Sequence, residues 1–259
     1  MKKSYVDTQD GQIHYGIEGS GEPMLLLHQN PRSMDEWNQV IPILTRTKKV
    51  IAIDIPGYGN SYTPPRDYTV NDYAKAVVSL MDSLGIKRAS LVGHHTGAYI
   101  SCEVAAAYPE RVDKIVLSGI RTFIVESMRE RLGSYSKPDV KEDGSHLIEI
   151  WDRFIKQYGA PPKIANRYFQ DIMRVRTFAG KALSKYRVEE RLPLIKCPTL
   201  FIYGAKGLIG FPIEDKRKAD QAVSRSKVSI VEEGRNYILD EMPDKFAKLV
   251  LDFLENPGV

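Results

Sequence analysis

Short apolar runs separated by polar, glycine-rich or proline-rich turns recur along the chain, and their lengths decide what they can form. Strand patterns fall near 4–8, 12–18, 24–28, 49–54, 88–92, 113–118, 198–203 and 227–231. Each is long enough for a strand and too short for an ordinary helix. Met24-Leu25-Leu26-Leu27 and Val50-Ile51-Ala52-Ile53 are continuously apolar rather than alternating, as strands covered on both faces are. Helical patterns, such as Ala98 to Tyr108, fill most gaps between the later strands. That alternation predicts an α/β protein with a mostly parallel sheet between two layers of helices. From about Arg121 to Leu192 the alternation stops, and the chain turns helical and rich in charge and aromatic residues.

With 259 residues, 42% of them hydrophobic, the chain can bury one large core plus an insertion, but not two full domains of ordinary size. Its formal charge of +4 comes from 37 basic and 33 acidic residues spread along the sequence, which gives no nucleic-acid signature. Cys102 and Cys197 both lie in apolar stretches, which favours reduced core thiols over a disulfide, and neither has metal-ligand company. No apolar stretch follows the first lysines, and no run approaches a membrane span. The expectation is a cytoplasmic protein that binds a small molecule, without a membrane or nucleic-acid partner, metal or cofactor.

The most informative segment is Gly93-His94-His95-Thr96-Gly97, which follows a buried-strand run and opens a helix pattern. It has the form of the G-x-S-x-G nucleophile elbow, a sharp strand-to-helix turn that lifts its central side chain into a cleft. Histidine stands at the serine position. Two further segments agree with it: His28-Gln29-Asn30-Pro31 after the third apolar run, with Trp37 beyond it, and Asp54-Ile55-Pro56-Gly57-Tyr58-Gly59-Asn60-Ser61 after the fourth. In order and spacing these motifs resemble the α/β-hydrolase superfamily, in particular its capped epoxide hydrolase, haloalkane dehalogenase and esterase branches, over nearly the whole chain. The resemblance implies an eight-stranded core formed by residues 1–120 and 193–259, with residues 121–192 as a helical cap over the strand ends.

Departures from that pattern fall where the chemistry is carried. The position of the family's acid after the seventh strand is Gly207, the position of its base is Asn236, and the alternative acid position after the sixth strand offers Arg121. No histidine follows His146. By this alignment the nucleophile, base and acid that a serine triad requires are all replaced. The oxyanion hole depends on backbone N–H groups, which survive side-chain changes, and it maps to Asn30 and Thr96. Gln29 replaces a loop glycine. Asn30 also resembles the halide-binding asparagine of haloalkane dehalogenases, but His95 and Thr96 replace their elbow aspartate and following tryptophan, so dehalogenation through an ester intermediate is not expected. His94 and His28 are read as packing residues. Gln29, Arg121 and Trp151 are the expected substrate contacts, while Lys206 and Arg235 are read as solvated.

Two functions follow from these residues. The first is a hydrolase or lyase for a small ester or carbonyl compound in which His95 is base or nucleophile. An imidazole with its ordinary pKa near 6.5 would then make activity rise with pH. The second is a catalytically silent ligand-binding or scaffolding protein of the same fold.

Overall fold

In the computed structural model, which describes residues 1–206 and 212–259, eight strands form one sheet. They are β1 (Lys2–Thr8), β2 (Gly11–Glu18), β3 (Pro23–Leu27), β4 (Lys49–Ile53), β5 (Ala89–His94), β6 (Val112–Ser118), β7 (Thr199–Gly204) and β8 (Ser226–Val231). Their spatial order is β1-β2-β4-β3-β5-β6-β7-β8. β1 and β2 pair antiparallel, β2 pairs antiparallel with β4, and every other neighbouring pair is parallel. The strand bounds differ from the sequence expectation by at most two residues, the most at Lys2 and at His94.

Burial follows the apolar runs. Leu25, Leu26, Leu27, Val50, Ile51, Ala52, Leu91 and Val92 are all fully buried, because helices cover both faces of the sheet centre. Burying one such leucine or isoleucine stabilises the fold by roughly 1.5–3 kcal/mol. On one face the helices Val70–Ser83 and Thr96–Ala107 pack against β3, β5 and β6. On the other, Trp37 packs with Phe246 of the helix Pro243–Glu255. Residues Thr96 to Ala105 of the helix Thr96–Ala107 are buried on every side, which explains its nearly continuous small and apolar sequence.

Between β6 and β7 the chain forms the helices Glu126–Gly133, Ser145–Asp152, Pro162–Arg174 and Gly180–Lys185, with a π-helical turn at Arg153–Gln157. Ile150, Phe154, Ile164, Tyr168 and Ile172 form a small core of their own, joined from the main body by Tyr237. Arg32 fastens this segment to the sheet: its Nε donates to Asp171 at 2.8 Å and its guanidinium lies 4.5 Å over the Tyr168 ring.

The topology concentrates loops at one place. β3 and β5 are adjacent and parallel although β4 lies between them in sequence, so the order reverses there. Ligands of open α/β sheets bind beyond the strand ends at such a switch point. The loop from Gln29 and the turn at His95 both leave the sheet at this position. Cys102 and Cys197 are buried free thiols.

Candidate active site

The backbone turns sharply as β5 gives way to the helix Thr96–Ala107. His95 sits there with φ 42° and ψ −106°, the one non-glycine residue of positive φ among the described residues. Such a conformation costs about 1–3 kcal/mol and persists only where its surroundings enforce it. The flanking glycines show what enforces it. A Cβ on Gly93 would lie 2.4 Å from the Gly97 carbonyl oxygen, and one on Gly97 would lie 2.0 Å from that of Leu27. The His95 N–H donates to the Ser118 carbonyl at 2.8 Å, which ties the turn to β6.

An imidazole is far larger than a serine hydroxymethyl group, and the room for it comes from Gly119 (φ 69°), where a Cβ would approach His95 Cε1 to 2.7 Å. The half-buried ring lines a cavity of about 210 Å³ beyond the strand ends. Burial first, then the neighbouring His94 and Arg121, lower its pKa to about 3, against the opposing effects of Glu36 and a hydrogen bond to the Gly119 backbone. This corrects the expected pH dependence. His95 stays neutral through the physiological range, so a change near pH 6.5 is not its signature.

His94 does more than pack. Its Nδ1 lies 3.0 Å from Glu36 Oε1, and its ring centroid is 4.5 Å from that of His95. Glu36 is wholly buried and also accepts from Gln29, from the backbone N–H at 2.9 Å and from Nε2 at 2.7 Å. Burial pushes its carboxyl upward, but His94, Arg32 and the Gln29 hydrogen bond outweigh burial and hold its pKa at about 2. An ionised Glu36 fixes the tautomer of His94: Nδ1 carries the proton and donates, leaving Nε2 as the nitrogen able to accept one. Gln29 Nε2, 3.2 Å from the same Nδ1, is then a second donor nearby rather than a partner. A base oriented by a carboxylate is half of the arrangement that activates nucleophiles.

The remaining expected residues separate into those at the cavity and those elsewhere. Gln29 lines the cavity wall, but its amide is committed to Glu36 and to the Tyr168 hydroxyl. Arg121 and Asn236 line the cavity, as does Arg235. Trp151 does not: it packs edge-on against Phe169, and Phe154, one turn further along, faces the cavity instead. The sequence marked that stretch as helical and rich in aromatic residues without fixing which aromatic faced the site. Gly207 lies outside the described residues. His28 is structural, as expected; its Nε2 accepts from the Ile55 N–H at 3.0 Å, so Nδ1 donates to the Gln29 carbonyl at 2.8 Å.

The two backbone donors mapped to an oxyanion hole are not equivalent. The Asn30 N–H points at the Thr96 hydroxyl, Oγ1, at 3.2 Å. The Asn30 carboxamide oxygen accepts from Tyr58 at 3.1 Å, so it is engaged in the loop as well. Thr96 N–H, in the first turn of its helix, is one of the N-terminal donors that a helix leaves without a partner within itself.

Residues 22–243 match the family model described as alpha/beta hydrolase fold, and the chain belongs to that family. It is 27% identical to 2-hydroxy-6-oxo-6-phenylhexa-2,4-dienoate hydrolase of Comamonas testosteroni, over 98% of this chain and 94% of that protein. It is 28% identical to the serine hydrolase BPHL of Mus musculus, over 94% and 83% respectively. The crystal structure of the enol-lactonase from Burkholderia xenovorans LB400 superposes with a TM-score of 0.82 at 20% identity, covering 98% of this chain and all of that one. At that identity the superposition speaks for the fold alone. No helix among the described residues is long and apolar enough to cross a membrane.

Proposed function

We propose that this protein is a hydrolase or lyase of a small ester or carbonyl compound in which two elbow imidazoles replace the serine apparatus. His95 meets the substrate, and His94, oriented by Glu36, takes the proton. The observation that carries this reading is the 3.0 Å contact between Glu36 and His94 beside the strained His95 turn. It supplies a positioned base with its orienting acid, in a cavity lined by both imidazoles. In hydrolysis, water loses a proton to His94 Nε2 as its oxygen adds to the carbonyl carbon. His95 holds that water through its unprotonated ring nitrogen, and the Thr96 N–H faces the oxygen that becomes negative. Collapse of the adduct returns the proton from His94 to the leaving group. The helices between β6 and β7 act as a lid that keeps bulk water out, with 121–192 as its bounds.

The relatives' names support hydrolysis of a small molecule without fixing the compound. A panel of small esters, lactones and 1,3-diketones assayed with wild type, His95→Ala and Glu36→Gln tests the reading. Turnover that both substitutions abolish is the expected result, and equal rates in all three proteins would end it.

The silent ligand-binding alternative is favoured by one observation: the Asn30 donor is occupied by Thr96, which leaves the hole with one backbone donor. Under that reading the same panel gives ligand-dependent thermal stabilisation and no product.

A further inference from the structure

The loop after β3 carries Gln29, Arg32, Ser33 and Glu36, and the helix Pro162–Arg174 meets it with one face. Arg167, Tyr168 and Asp171 share that face, being three and four residues apart. The Gln29 amide has two hydrogens to give. One goes to Glu36 Oε1 at 2.7 Å and the other to the Tyr168 hydroxyl oxygen at 2.5 Å. Asp171 takes the two side chains between them: its Oδ2 accepts from Arg32 Nε at 2.8 Å and its Oδ1 from the Ser33 hydroxyl at 2.7 Å. Asp171 is buried and is not part of the cavity wall.

Arg32 is only 1% exposed, so its charge has to be balanced from within the protein. Glu36, Asp240 and Asp171 are the carboxylates whose charges reach it. Asp240, 3.2 Å from Arg32, is shared with Arg167, which donates to it at 2.7 Å. Glu36 is shared with His94 and Gln29. Among the described residues Asp171 makes an ion pair with Arg32 alone. Were its charge lost, the unbalanced share of the guanidinium would fall on Glu36 and draw that carboxylate away from His94. Imidazole released from such a partner reverts toward the tautomer it prefers in water, with the proton on Nε2.

We propose that Asp171 is a positioning residue for His94: by holding the Arg32 guanidinium it leaves Glu36 to fix the proton on Nδ1 and keep Nε2 free. Its consequence for catalysis rests on the reading of His94 as base. The positioning itself concerns a tautomer and is measured without substrate.

The ¹⁵N resonances of the His94 ring at pH 7, assigned by their loss in His94→Gln, read the tautomer directly. Wild type is expected to show a protonated Nδ1 and a bare Nε2. Asp171→Asn keeps the shape and an acceptor for Arg32 and Ser33 but removes the charge; its Nδ1 signal should move downfield and its Nε2 signal upfield. Arg176→Gln is the control for a loosened helical segment, because Arg176 ties that segment to the Tyr58, Gly59 and Ser61 carbonyls, away from Arg32. It should leave the His94 signals in place. Where the ester and diketone panel yields a substrate, kcat of Asp171→Asn is expected to fall at least about tenfold, with KM little changed.

Unmoved His94 signals in Asp171→Asn, or an equal shift in Arg176→Gln, would overturn the positioning role alone. A wild-type His94 protonated on Nε2 would overturn it together with the reading of His94 as base. A shift confined to Asp171→Asn, with no turnover in any of these proteins, upholds the positioning and removes the catalytic reading.

Discussion

The His95 ring rests against the bare Cα of Gly119, in space that the first carbon of any other side chain would take. The two residues come from neighbouring strand ends, β5 and β6, and each depends on the other. A serine at the elbow would leave a gap over Gly119, and a side chain at 119 would push the imidazole out of its place. Gly119→Ala therefore does two things at once: it strains a residue at φ 69° and drives a methyl group to 2.7 Å from the ring. The expected cost is about 1–3 kcal/mol of stability, read as a shift in the urea midpoint. Ligand binding and any turnover should fall more steeply than stability does. Retention of both would mean that the ring moves freely within the cavity and that its placement is unimportant.

Acid sensitivity follows from the same burial. The His95 pKa of about 3 lies below its ordinary value near 6.5, so between these values the unfolded chain binds a proton that the folded chain does not. Stability from this group is complete above pH 6.5 and declines as pH falls toward 3. The urea midpoint of wild type should accordingly drop more between pH 7 and pH 5 than that of His95→Gln. Parallel pH dependences would show that His95 takes up its proton as readily in the folded state as in the unfolded one.

Glu36 and His94 should behave as a coupled pair. Glu36→Gln keeps the shape but removes the buried charge that sets the His94 tautomer, and it leaves Arg32 with less compensation. A loss of about 2–4 kcal/mol is expected, below the 3–5 kcal/mol of breaking a buried pair outright because glutamine can still accept one bond. The interaction energy from a double-mutant cycle with His94→Gln should exceed about 1 kcal/mol. Additive losses would show that the 3.0 Å contact carries no energy and would weaken the assignment of His94 as base.

The strands and the elbow were legible in the sequence because each is dictated locally. A four- or five-residue apolar run can be covered on both faces only at the centre of a sheet. Gly93 and Gly97 are fixed by contacts of 2.4 Å and 2.0 Å that no Cβ could survive. The Glu36–His94 pair had no such signal, since 58 residues separate its members and Glu36 looks like any acid beside a tryptophan. Tyr168, which reaches Gln29 across 139 residues, was equally hidden. Trp151 shows the opposite failure: an aromatic in the helical stretch between β6 and β7 was read as a substrate contact, but it packs against Phe169 rather than lining the cavity. The periodicity gives the face of a helix and not the neighbour that face will meet.

The Thr96 hydroxyl occupies the Asn30 N–H at 3.2 Å, so its removal should open the second donor of the oxyanion hole. Thr96→Ala deletes the oxygen without disturbing the backbone of the turn, whereas Thr96→Ser keeps it. The lost hydrogen bond costs about 1 kcal/mol of stability. In return, an amide that faced a threonine becomes available to a developing oxyanion. One such donor is worth about 10²–10³ in rate where it is well aimed, so even imperfect aim should raise kcat several-fold on any substrate that wild type turns over. Thr96→Ser should match wild type in both rate and stability. A slower Thr96→Ala would mean that the hydroxyl itself serves the reaction, as a donor or by orienting water, and that the Asn30 amide is aimed away from the reacting carbonyl. The comparison depends on the oxygen alone, because serine and alanine both lack the threonine methyl and differ only in what they present to Asn30.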